Sequence, residues 1–151
     1  MTATHSRREV LTAGAIAAFA VVLAPRMSFA TPAEVEAALK KLYDGKKMNP
    51  GKITLDLPQI AENGLVVPIN VSVESPMKDN DYVKAVHIFA DGNPLPGVVS
   101  YKFTPDSGQA AASIRMRLAK TQNIIAVAEM SNGNLHTAKS EVKVTIGGCG
   151  G

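Results

Sequence analysis

The chain has 151 residues, with sixteen Lys and Arg against thirteen Asp and Glu, a formal net charge of +3, one Cys and no Trp. This length suits one domain. Arg7, Arg8 and Arg26, against Glu9, sit in the first thirty residues, so the remainder carries only +1 and lacks a basic field for a nucleic acid or an anionic membrane. A single cysteine excludes an internal disulfide, so the core must hold by packing alone.

Residues 1–30 read as an export signal that is removed. A polar start with an arginine pair leads into an apolar run from Val10 to Leu23, followed by small residues at Ser28 and Ala30 before Thr31-Pro32. The run is 14 residues long, short of the ~20 needed to span a bilayer, so a membrane anchor fits less well. "S-R-R-E-V-L" (Ser6–Leu11) resembles the twin-arginine export signal, with Val10 in place of the usual Phe and no following Lys. The mildly apolar, Ala-rich run and Arg26 also fit that route better than the general secretory one. The expected compartment is the periplasm or outside, with cleavage after Ala30.

Residues 31–50 are predicted as a helix and linker. Thr31 can cap, Pro32 suits the first helical position and Glu34 completes a capping box. Val35, Ala38, Leu39 and Leu42 share a face, and Gly45 supplies the stop. The helix can pack on the domain or on a partner.

Over residues 51–146 the period changes to two, with turns between runs. "I-T-L-D-L" is followed by Asn63-Gly64, and "L-V-V-P-I-N-V-S-V-E" places Val67, Ile69, Val71 and Val73 on one side. "Y-V-K-A-V-H-I-F-A" runs to Asp91-Gly92, and "V-V-S-Y-K-F" runs to a Pro-Asp-Ser-Gly turn. In "S-I-R-M-R-L", Ile114, Met116 and Leu118 face in while Arg115 and Arg117 face out. The last two runs flank Ser131-Asn132-Gly133-Asn134, a strong hairpin signal. About seven short strands at this spacing predict an all-β, immunoglobulin-like antiparallel β-sandwich with a short N-terminal helix and a flexible C-terminal arm.

Enzyme motifs are missing: no Gly-rich phosphate loop, C-x-x-C or H-E-x-x-H is present. A blue-copper site needs two His and a Cys converging, with further ligands near the Cys; only Gly150 and Gly151 follow Cys149. No metal or other cofactor is expected. His136 starts the last strand, ~33 Å from its far end, so it cannot meet Cys149 within one chain. His87 alternates with hydrophobes and reads as a strand residue with a satisfied side chain. Asp79 and Asp81 read as solvated loop charge, and no carboxylate pair stands out for acid–base work.

The tail, "I-G-G-C-G-G", is where chemistry concentrates. Gly147, Gly148, Gly150 and Gly151 form a side-chain-free arm around Cys149, expected to be mobile and to reach at most ~17 Å beyond the last strand. Such an arm can pass a narrow channel into another protein's site. No basic residue follows Lys143, so the thiol is expected to be unactivated, which suits a carrier whose clients supply activation. Folding the last hairpin back brings Thr121, Gln122 and Asn123 near the base of the arm, an uncharged patch expected to position the arm or touch clients.

The C-terminal "I-G-G-C-G-G" resembles that of the SoxY family, the sulfur-carrier subunits of the periplasmic Sox sulfur-oxidation system. Glu62–Met77, Ile88–Pro94 and Arg117–Gly133 resemble it too, as does the twin-arginine leader. The resemblance implies a carrier that is not itself an enzyme. A c-type cytochrome complex would join thiosulfate oxidatively to the thiol of Cys149. A hydrolase would then release sulfate, and a sulfane dehydrogenase would oxidise the remaining sulfur. It also implies a heterodimer with SoxZ, here a separate chain. Two other readings stay open. One is a structural protein with Cys149 in a permanent intermolecular disulfide; the other is a C-terminal thiocarboxylate carrier, which the export signal opposes.

Overall fold

The structure is a computed structural model and describes residues 29–148. The leader over 1–28 and Cys149, Gly150 and Gly151 lie outside the described residues. Helix α1 spans Pro32–Tyr43 and begins as its sequence dictates. The Glu34 amide donates to Thr31 Oγ1, while the Thr31 amide donates to Glu34 Oε2 at 2.8 Å, closing the capping box. It ends on Asp44 in the left-handed region, whose amide donates to the Lys40 carbonyl at 2.8 Å.

Nine strands follow among the described residues: β1 (Met48–Pro50), β2 (Ile53–Asp56), β3 (Ile60–Asn63), β4 (Val67–Val73), β5 (Val83–Ala90), β6 (Gly97–Lys102), β7 (Ala110–Met116), β8 (Gln122–Met130) and β9 (Leu135–Ile146). The Pro-Asp-Ser-Gly turn becomes a single 3-10 turn over Pro105–Ser107. One sheet runs β1-β9-β8-β5-β6 with β3 also on β9, and the other runs β2-β4-β7. The expected sandwich is therefore present, with two strands more than the seven expected. Both extra strands are very short and lie parallel to β9 along its outer edge: β1 beside Leu135–Thr137 and β3 beside Lys143–Ile146. Three or four residues are too few to display an alternation, and β1 takes up the end of the expected linker.

Alternation sets the layers. Val67, Ile69, Val71 and Val73 of β4 pack with Val86, Ile88, Ile124, Ala126, Ala128 and Val142 of the larger sheet to form the main core. Fully burying a side chain such as Ile69 or Ile124 stabilises the fold by about 1.5–3 kcal/mol. The opposite face of the larger sheet carries α1, which settles the helix's place on this domain: Val35 and Tyr43 pack on Phe89, Val127 and Leu135. Tyr43, not Leu42, completes the buried stripe; Leu42 is 53% exposed. In the β8–β9 hairpin, Gly133 has φ of 82°, which favours glycine, and the Met130 amide donates to the Asn134 carbonyl.

Candidate functional site

β9 is the longest strand, and its last residues run past the start of β8, whose final ladder pair is Gln122 with Val142. The chain from Lys143 onward therefore needs other partners for its backbone. On one side β3 supplies them, ending at Asn63 opposite Ile146. On the other side lies the irregular segment between β7 and β8, residues 117–121.

Three backbone hydrogen bonds tie these segments together. The Gly64 amide donates to the Ile146 carbonyl at 2.7 Å, the Leu118 amide to the Gly64 carbonyl at 2.8 Å, and the Gly148 amide to the Leu118 carbonyl at 2.8 Å. The three segments pass so closely that no side chain fits between them. A Cβ on Gly64 would collide with the Leu118 carbonyl oxygen, one on Gly147 with the Ala119 carbonyl, and one on Gly148 with the Gly64 carbonyl. None of the three has a positive φ, so they are glycine for space, not for backbone freedom. Gly147 and Gly148, the first part of the expected mobile arm, are thus clasped to the domain. Cys149 follows Gly148 directly in the chain.

The clasp has a polar foundation in the Asp91-Gly92-Asn93 turn after β5. The Asn123 amide donates to Asp91 Oδ1 at 2.7 Å, and Asn123 Nδ2 to Asp91 Oδ2 at 2.8 Å. Gln122 is 4% exposed; its Oε1 accepts from the Gly92 amide at 2.9 Å and its Nε2 donates to Asn93 Oδ1 at 2.8 Å. Asn93 Nδ2 donates to the Arg117 carbonyl at 2.9 Å, and Asn93 Oδ1 accepts from the Ala119 amide at 3.1 Å. Thr121 Oγ1 accepts from the Val144 amide at 3.0 Å. Thr121, Gln122 and Asn123 thus lie beside the end of β9, with their side chains committed to bonds within the domain. Around the exit, Leu65, Val66 and Ile146 are exposed.

The sequence reading missed Gly64, Asn93, Leu118 and Ala119. Asn63-Gly64 and Asp91-Gly92 announced turns, but nothing in either dipeptide says which distant segment the turn will touch.

The two histidines of the described region do not meet. His87 pairs with Val127, on the helix-covered face of the larger sheet, whereas His136 pairs with Ala128, on the core face. His87 Nδ1 is 2.6 Å from Ser100 Oγ, and burial holds its pKa below the usual value, partly offset by the Glu129 carboxylate. Tyr43 lies edge-on to His87, its ring 5.9 Å away, and burial with the nearby Glu129 charge pushes its pKa up to about 12. Among the described residues no group of three or more His, Cys, Asp or Glu gathers to hold a metal ion. A concavity of about 350 Å³ on the outer face of the smaller sheet holds only one titratable group, Asp56, which accepts from Asn70 Nδ2. No helix among the described residues is long and apolar enough to cross a membrane.

A family model for the sulfur oxidation protein SoxY matches residues 39–149. No curated protein matches the chain. Among solved structures, the sulfur carrier protein SoxY from Chlorobium limicola f thiosulfatophilum is 32% identical, with a TM-score of 0.65 over 77% of this chain and 100% of that one. Superoxide reductase (neelaredoxin) from Ignicoccus hospitalis is 18% identical, with a TM-score of 0.57 over 76% of this chain and 94% of that one. Superoxide reductase from Nanoarchaeum equitans is 12% identical, with a TM-score of 0.54 over 64% of this chain and 100% of that one. At those two identities the likeness is one of fold alone. The family match runs from within α1 through both sheets to the cysteine that follows the clasp, and on that extent the chain belongs to the SoxY family of sulfur oxidation proteins.

Proposed function

We propose that this protein is a covalent sulfur carrier, with Cys149 as the attachment point and the C-terminal glycines as its arm. The observation that carries the reading is that the family match extends to Cys149, one peptide bond beyond a clasp built from glycines. In this reading the chemistry falls to partner enzymes, and the carrier is not itself an enzyme.

The proposed cycle balances as follows. The Cys149 thiol and thiosulfate join through a new S–S bond, giving a cysteine S-thiosulfonate and releasing one proton and two electrons. A c-type cytochrome complex accepts the electrons. Water then cleaves the bond to the terminal sulfone, sulfate leaves, and a persulfide stays on Cys149. A sulfane dehydrogenase oxidises that remaining sulfur to a sulfonate with oxygen from three waters, passing six electrons to an electron-transfer protein and releasing seven protons. Hydrolysis of the S–S bond then releases a second sulfate and a proton and restores the Cys149 thiol. Counted to Cys149, the closed clasp leaves one residue, ~3.5 Å of extended chain, and opened back to Ile146 it leaves three, ~10 Å. A heterodimer with a separate SoxZ chain, export by the twin-arginine route, removal of residues 1–30 and a periplasmic location belong to the same proposal. Thr121, Gln122 and Asn123 belong to it as an uncharged patch at the arm's base that helps position the arm or contacts clients.

The deciding measurement is the intact mass of the mature protein from thiosulfate-exposed periplasm, before and after a reductant. Reductant-labile sulfur or thiosulfonate adducts that vanish in Cys149→Ser are expected. A single unmodified mass, or only a protein–protein disulfide, would overturn the carrier reading in favour of a structural cross-link.

A further inference from the structure

The bonds of Asn93 fall on two consecutive peptide groups. Arg117 C=O and Leu118 N–H belong to one planar unit, and Leu118 C=O and Ala119 N–H to the next. Asn93 Nδ2 donates to the Arg117 carbonyl at 2.9 Å, while the N–H of that same unit donates to the Gly64 carbonyl at 2.8 Å. Asn93 Oδ1 accepts from the Ala119 amide at 3.1 Å, while the C=O of that unit accepts from the Gly148 amide at 2.8 Å. In a trans peptide the N–H and C=O point in opposite directions, so a partner on one side orients the group offered on the other.

Resting on the carrier reading, we infer that Asn93 is the positioning residue of the arm: its side-chain amide orients the two peptide planes that hold Gly64 and Gly148, and so sets where Cys149 leaves the domain. Asn93 makes no hydrogen bond to Gly147 or Gly148 itself. The 117–121 segment has no strand pairing to orient it, and the buried Leu118 side chain anchors its middle without choosing the direction of its peptides. An amide is suited to this task because it offers one donor and one acceptor side by side. A carboxylate lacks the donor for the Arg117 carbonyl, and alanine lacks both. Asn93 is itself held in place, through Gln122 Nε2 and through the bonds of Asp91 and Gly92 to Asn123 and Gln122.

The test uses the full mature chain, with hydrogen exchange followed at the Gly148 amide and, as an internal reference, at the core amide of Val127. A methanethiosulfonate nitroxide on Cys149, the only cysteine, reports how restricted the start of the arm is. Asn93→Ala is expected to speed Gly148 exchange about tenfold more than Val127 exchange and to remove the restricted component of the nitroxide spectrum. Asn93→Asp keeps the acceptor and is expected to fall between. A Gly148-to-Val127 ratio and a spectrum unchanged from wild type would overturn the inference, and if Asn93→Ala does not fold, the ratio in Asn93→Asp decides alone. Neither readout needs a sulfur adduct. A failure here is therefore distinct from a failure of the carrier reading, which would show as wild-type protein that never acquires adducts.

Discussion

The Gly148 amide donates to the Leu118 carbonyl at 2.8 Å, so the chain is still bonded to the domain at the residue before its only cysteine. That bond exists because Gly64, on a third segment, leaves room for it. In Gly64→Ala the new Cβ meets the Leu118 carbonyl and stands 2.8 Å from the Gly148 nitrogen. Overpacking of this kind against backbone costs about 1–3 kcal/mol. Urea unfolding should show that loss, with faster exchange at Gly148. Gly97→Ala is the control: nothing lies within 4 Å of its added methyl, and its stability should stay near that of wild type.

Gln122→Leu should be costly although it adds apolar volume to a buried position. The Gly92 amide would lose its acceptor and Asn93 Oδ1 one of its two donors. A buried group left unpaired costs about 1–3 kcal/mol. A shift of that size in the urea midpoint without a change in m is expected; an unchanged midpoint would show that the turn after β5 does not depend on this amide.

Tyr43→Phe should be neutral or stabilising by up to about 1 kcal/mol, because the Tyr43 hydroxyl is buried without a protein partner and the ring packs equally well without it. The two proteins should diverge in alkali. The folded pKa of Tyr43 is raised from 10.0 to about 12, so from pH 10 upward the unfolded chain releases this proton first and wild-type stability falls. The variant lacks that fall. Urea melts between pH 8 and pH 11 make the comparison.

His87 gives the opposite pH dependence. Its folded pKa lies below the ordinary 6.5, chiefly because it is partly buried, so below that pH the unfolded chain binds the proton more readily. Stability is whole above about pH 6.5 and is lost as pH falls toward the lowered folded value. His87→Asn should flatten this part of the profile while leaving the plateau near pH 8 little changed. A wild-type profile already flat between pH 7 and pH 5 would contradict the assignment.

The capping box at the start of α1 acquires a further role if export removes residues 1–30. Thr31 would then carry the new terminal ammonium, and its nitrogen already lies 2.8 Å from Glu34 Oε2. Glu34→Gln in the mature chain should cost about 0.5–2 kcal/mol, the range of a lost cap, read from the midpoint of thermal unfolding.

Much of this protein is decided locally and was legible for that reason. Thr31, Pro32 and Glu34 start α1 through contacts three residues apart, and Gly133 turns the last hairpin because its own φ is positive. The alternation of Val67, Ile69, Val71 and Val73 gave a strand with one buried face, because side chains on a strand change sides at every residue. A lone cysteine among glycines near the chain end likewise stood out in the sequence as the candidate attachment point.

What the tertiary structure alone decided are pairings between residues far apart in the chain. β1 and β3 are too short to display a period and exist because the edge of β9 offers unpaired backbone groups. Gly64, Asn93, Leu118 and Gly148 carry no shared local signal, yet they meet at the tip of the sandwich, where each satisfies a peptide group another leaves open. From sequence, glycine looks the same whether it supplies freedom or space; at Gly147 and Gly148 it supplies space, and only the neighbouring backbone could reveal that.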